Sequence, residues 1–195
     1  MTLATSRILI VATLAVTTGL LTACAPTLPP LPTVPTPTET TASPVAGTAE
    51  CTTDNLSITY AATDNTAGHE HGILTFTNSH GDTTCGMNGY PSAYFSHPEA
   101  FSAMGAVSTN DTVTVPSLVV LAPGDHAQAA VTITRAEIVE GCTVVTATAL
   151  LVAPPLSHPA NFGELGDAQH VDIADTSACN NASISLLAIA AVTAA

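Results

Sequence analysis

Between residues 56 and 174 apolar side chains recur at every second position in short runs broken by glycine and proline, a pattern that admits strands and leaves little room for helices. In the run 56–62, Leu56, Ile58 and Tyr60 share one face while Ser57 and Thr59 share the other. Residues 73–78, 112–115, 127–134, 143–152 and 170–174 read the same way, and turn residues separate them at 89–92, 122–125 and 153–155. The C-terminal run 182–195 follows the polar Cys179-Asn180-Asn181 and is fourteen residues long. A membrane-spanning helix needs about 20 residues, so this run is expected to be the last, centrally buried strand. The fold class that follows is all-β: an antiparallel β-sandwich over residues 51–195.

The first fifty residues have a different logic. Arg7 precedes an apolar segment, 8–21, that is too short for a comfortable permanent span and has the proportions of a signal peptide. It ends in Leu21-Thr22-Ala23-Cys24. These four residues resemble the bacterial lipobox, in which the cysteine receives diacylglycerol and becomes the new N-terminus after cleavage. The resemblance implies a signal peptide over 1–23 and lipidation of Cys24, with the membrane reached through a covalent lipid anchor. Two acyl chains give stable attachment where one is marginal. A plain secretory peptide containing a cysteine is the competing reading.

Seven prolines between Pro26 and Pro44 then fix φ and remove amide donors, so neither helix nor sheet propagates. Residues 24–50 are therefore expected to be the lipidated cysteine and a disordered, Pro/Thr-rich tether of extended character. At ~3.1 Å per residue it holds the domain several tens of ångströms from the membrane face. Its threonines match the composition of O-glycosylated stalks, with a naked linker as the alternative.

Cys51, Cys85, Cys142 and Cys179 remain for the folded unit. An even set in an exported domain implies two disulfides, and four cysteines allow three pairings. Pairing neighbours, Cys51 with Cys85 and Cys142 with Cys179, is favoured because each bridge then ties strands within one half. Redox-active thiols are the alternative, but the chain has no Cys-x-x-Cys spacing.

Arg7 and Arg135 are the only strongly basic residues against fifteen acids, and lysine is absent. No phosphate-tracking surface can be built from that set, which excludes nucleic acid as a partner. Attraction to anionic headgroups is excluded for the same reason.

The layout Cys51, Phe76-Thr77-Asn78, Cys85-Gly-Met-Asn-Gly-Tyr-Pro91, Leu121-Ala-Pro-Gly124, Cys142, Val152-Ala-Pro-Pro155 and Cys179 resembles an actinobacterial family of exported proteins and lipoproteins built on a domain of unknown function. The resemblance covers nearly all of 51–195. It implies an immunoglobulin-like sandwich at the cell envelope and no assigned activity. The motif residues each have a structural role: Asn88-Gly89 suits a tight turn, Tyr90 can cap a backbone group with its hydroxyl, and Pro123-Gly124 fits a type II turn.

Gly68-His-Glu-His-Gly72 is the one local cluster with metal-ligand character. His69 and His71 would share a side if a strand began there, and His80 or Glu70 could join them on zinc or copper, with Met87 or Met104 as soft ligands. The flanking glycines favour a solvated hairpin loop instead. Enzyme signatures are missing: no lysine serves a Ser-x-x-Lys pair, and neither Gly-x-Ser-x-Gly nor His-Glu-x-x-His occurs. His97, Glu99 and His126 have no nucleophile placed beside them. Arg135 is expected to pair with Glu137, Asp125 or another carboxylate. The chain is thus expected to be a non-enzymatic, cofactor-free module on the outer face of the plasma membrane that binds an envelope protein, peptide or glycan. A metal-binding lipoprotein using His69, His71 and His80 is the alternative.

Overall fold

The computed structural model describes residues 48–80, 82–97, 100–155 and 168–195. The leader 1–23, Cys24 and the tether as far as Gly47 lie outside the described residues, as do Pro98 and Glu99. The strands are β1 (Ala49–Glu50), β2 (Leu56–Thr66), β3 (His69–Asn78), β4 (Cys85–Met87), β5 (Ser92–His97), β6 (Ala100–Met104) and β7 (Thr109–Asp111). They continue with β8 (Val119–Leu121), β9 (His126–Thr134), β10 (Val144–Ala153), β11 (Gln169–Cys179), β12 (Leu187–Ala190) and β13 (Thr193–Ala194). A 3-10 turn, Ala136–Ile138, follows β9. No helix among the described residues is long and apolar enough to cross a membrane.

The strands form a six-stranded sheet, β2-β3-β9-β12-β7 with β13 also on β9, a four-stranded sheet, β11-β10-β5-β6, and a small sheet, β1-β4-β8. Pairing is antiparallel except for β1 with β4 and β12 with β7. The period-2 pattern decides which faces meet. Leu56 and Ile58 of β2, Leu74 and Phe76 of β3, Val131 and Ile133 of β9, and Leu187 and Ile189 of β12 point inward. They share one apolar core with Phe95 of β5, Leu150 and Val152 of β10, and Val171 of β11, which makes the molecule a β-sandwich. Gln169 Oε1 accepts from the Ile58 amide at 2.7 Å, so a β11 side chain satisfies the backbone of β2 across the sandwich.

Strand β10 carries a register shift between Ala147 and Ala149, and the inward set changes from odd to even numbers there. That irregularity explains why Ala147 and Leu150 both face the core. The C-terminal run supplies β12, buried between β9 and β7, as expected for a central strand.

The two disulfides are Cys51–Cys85 and Cys142–Cys179, with Cα atoms 4.9 and 5.3 Å apart. Two strand expectations need correction. Residues 112–115 alternate but form a turn in which Val113 and Val115 face solvent, because the Asp111 carboxylate accepts from the Val113 amide at 3.0 Å and bends the chain out of the sheet. Residues 69–71 are not a hairpin loop. They lie in β3 with partners on both sides, since the turn is compressed into Ala67 and Gly68, with φ of 49° and 85°. Positive φ at both positions is the two-residue hairpin geometry whose twist matches its strands.

Candidate functional site

His69 and His71 stand on the outer face of β3, their ring centroids 6.5 Å apart. Each is engaged by β9: His69 Nδ1 lies 3.2 Å from Thr134 Oγ1, and His71 Nδ1 lies 3.2 Å from Thr132 Oγ1. His71 Nε2 also lies 4.0 Å from the Asp64 carboxylate. The expected third ligand is elsewhere. His80 follows the other end of β3, roughly 30 Å along a strand rising ~3.4 Å per residue, where its Nδ1 meets Ser79 Oγ at 3.1 Å. Glu70 faces the opposite side, and Met87 is buried in the core. Among the described residues no three of His, Cys, Asp and Glu gather where they could hold a metal ion. The triad of His69, His71 and His80 is therefore corrected by strand geometry.

The motif residues are structural. Asn78, at the end of β3, is 1% exposed, and its Nδ2 donates to the carbonyls of Thr83 and Leu121, each at 3.0 Å. Its own amide donates to Asp125 O at 3.0 Å, and its carbonyl accepts from Gly124 N at 2.7 Å. One residue thus connects the approach to Cys85 and strand β8 through its side chain, and the Leu-Ala-Pro-Gly turn through its backbone. That turn closes through Asp125 N to Ala122 O at 2.9 Å, with Gly124 at φ 87°. The Tyr90 hydroxyl donates to Thr114 O at 3.2 Å, which is the backbone cap expected of it.

A cleft of about 460 Å³ opens where the β2–β3 hairpin, the 3-10 turn and β11 converge. Asn65, Glu70, Arg135, Glu137, Asp175 and Ser177 supply its polar lining. Glu70 Oε1 accepts from the Tyr60 hydroxyl at 2.8 Å, and Glu137 Oε2 accepts from Ser177 Oγ at 2.9 Å. Both carboxylates are thereby aimed before any ligand arrives. The expected Arg135 ion pair is not formed: among the described residues no carboxylate lies within 4.0 Å of its guanidinium. The Arg135 amide instead donates to Gly68 O at 3.0 Å, which aligns the backbone and leaves the side chain exposed in the cleft.

The electrostatics follow from these contacts. The Glu137 carboxyl is held below its usual range, first by a hydrogen bond from its own backbone amide and then by Ser177; burial opposes them, and the Arg135 charge is the smallest contribution. The Tyr60 phenol is pushed well above its ordinary range by burial, and then by its hydrogen bond to the Glu70 carboxylate and that group's charge. Its ring occupies the space a Cβ would take at Gly72, so only glycine fits beneath it. Because the folded-state pKa is raised, Tyr60 stabilises the fold below about pH 10, and the contribution is lost as pH rises beyond that. Gly72→Ala is expected to displace the ring at a cost of about 1–3 kcal/mol and to abolish the late step in a tyrosinate absorbance titration. A late step that persists in the variant would show that the Tyr60–Glu70 contact does not cause it.

Sequence reasoning singled out Arg135 with Glu137 beside it but missed the rest of the cleft. Asp175 and Ser177 arrive from β11, forty or more positions away, and no local spacing signals that meeting. No curated protein and no solved structure matches the chain. Residues 51–184, from the first bridged cysteine almost to the last buried strand, match the family model described as a domain of unknown function, DUF4232, and the chain belongs to that family.

Proposed function

We propose that the chain is a non-enzymatic cell-envelope lipoprotein. In this reading Cys24 carries the lipid, residues 25–50 are the tether, and the sandwich faces outward from the plasma membrane to bind an envelope protein, peptide or glycan. The observation that carries the reading is the pair of disulfides within the domain, since such bridges persist in oxidising compartments and are rare in the cytosol. The lipobox-like Leu21-Thr22-Ala23-Cys24 supports the anchor. The Arg135 cleft supplies the binding surface, because it presents an exposed guanidinium, unpaired among the described residues, beside two pre-oriented carboxylates.

Two measurements test it. Native protein should partition into detergent and carry a diacylated Cys24 by mass, while Cys24→Ser leaves the membrane fraction. An unmodified Cys24 in a cytosolic chain with reduced cysteines sinks the reading. A photoreactive residue at Asp175 should cross-link an envelope component in intact cells, and Arg135→Ala should reduce that yield severalfold. An unchanged yield would place the binding surface elsewhere.

A further inference from the structure

Four large apolar side chains stand exposed in one short stretch that runs from the β7–β8 connection into β8: Val113 at 87%, Val115 at 81%, Leu118 at 41% and Val120 at 49%. Residues 112–122 carry no charge at all, in a chain whose net charge is −13. The display is held in shape. Asp111 caps the Val113 amide at 3.0 Å and Tyr90 holds the Thr114 carbonyl at 3.2 Å, so the two valines flank a fixed peptide and project outward. Apolar surface gathered and braced in this way marks a contact site.

Its position identifies the occupant. A Cβ built on Gly86 would meet Leu118 Cδ1 and Thr48 Cγ2 at 3.3 Å each, so Thr48, the first described residue of the expected tether, lies beside Leu118 of the apolar loop. We propose that the loop 113–120 docks on the lipid surface to which the tether leads, its valines entering the interfacial layer; this rests on the lipoprotein reading above. In the lipoprotein reading, the 23 tether residues between Cys24 and Thr48 reach at most about 70 Å at ~3.1 Å per residue. That leash keeps the loop close to the bilayer, where a contact too weak to recruit a free protein is populated by effective concentration. With no lysine in the chain and no charge in the loop the contact is apolar, and anionic lipid opposes it, because it repels a chain of net charge −13. A second copy is the poorer occupant, because two chains of net charge −13 repel.

The chain has no tryptophan, so Val115→Trp adds a single indole reporter. In the acylated full-length protein on phosphatidylcholine vesicles, its emission should shift to the blue and be quenched severalfold by lipids brominated near the headgroup. A reporter at Thr59, on the outer face of β2, should remain unquenched, and adding anionic lipid should weaken the Val115→Trp quenching and never strengthen it. Water-like emission from Val115→Trp on vesicles, with acylated Cys24 confirmed by mass, overturns the docking while sparing the lipoprotein reading. An unacylated Cys24 overturns both. A blue shift already present in solution for the Cys24→Ser chain carrying Val115→Trp assigns the loop to its own chain or to a second copy, and also overturns it.

Discussion

Asn78→Asp is expected to cost about 3–5 kcal/mol at neutral pH, the loss typical of a buried charge left without a partner. The two carbonyls that receive the Asn78 amide, Thr83 O and Leu121 O, each 3.0 Å away, would face a carboxylate in place of donors. Repulsion and lost hydration act together there, since the side chain is 1% exposed. The pH dependence has a definite sign. The new carboxyl would titrate far higher in the folded state than its ordinary value of about 4, so the deficit is smallest below that pH, where the protonated acid can still donate. It grows as pH rises through the unfolded-state value and beyond. Asn78→Leu should be milder, about 1–3 kcal/mol, because it leaves acceptors unpaired without adding a charge. Urea unfolding at several pH values measures both, and a loss for Asn78→Asp that does not change with pH would refute the assignment.

Removing the first bridge as Cys51→Ala/Cys85→Ala should lower stability by about 3–4 kcal/mol, the chain-entropy value for its loop. The bridged residues are 34 apart, both fully buried, and they join the residue after β1 to β4 beside the Cys51 N to Gly86 O hydrogen bond of 3.0 Å. The second bridge closes a similar separation of 37, and loop entropy depends only on the logarithm of length, so its global contribution is similar. The local consequences differ. Cys179 belongs to the long β10–β11 ladder, whereas β1, β4 and β8 have two or three residues each. Hydrogen exchange in the first variant should therefore rise earliest at Cys85–Met87 and Val119–Leu121, while β3 and β9 stay protected. Uniform loss of protection would show that the small sheet does not depend on its bridge.

The strand class was legible because side-chain alternation is a local property. Leu56 and Ile58, or Val131 and Ile133, reveal an inward face with no knowledge of what lies opposite. The same periodicity placed His69 and His71 on one side once their strand began at residue 69, and the cysteine pairing followed from keeping each bridge within one half. Alternation failed at residues 112–115 because it does not report whether a neighbouring strand is present to pair. Strand β5 escaped notice for the converse reason: Ser92, Tyr94 and Ser96 make a weak pattern, yet β10 and β6 pair with it on both sides.

What could be read from the chain without coordinates is governed by near neighbours: most of the strand character, the turn chemistry at Asn88-Gly89 and Pro123-Gly124, and the missing positive charge. The Arg135 cleft, the distance of His80 from the histidine pair and the grip of Asn78 on two remote carbonyls depend on long-range register. Side-chain periodicity repeats every two residues and cannot specify partners tens of positions away, so those features took shape only when the sheets packed.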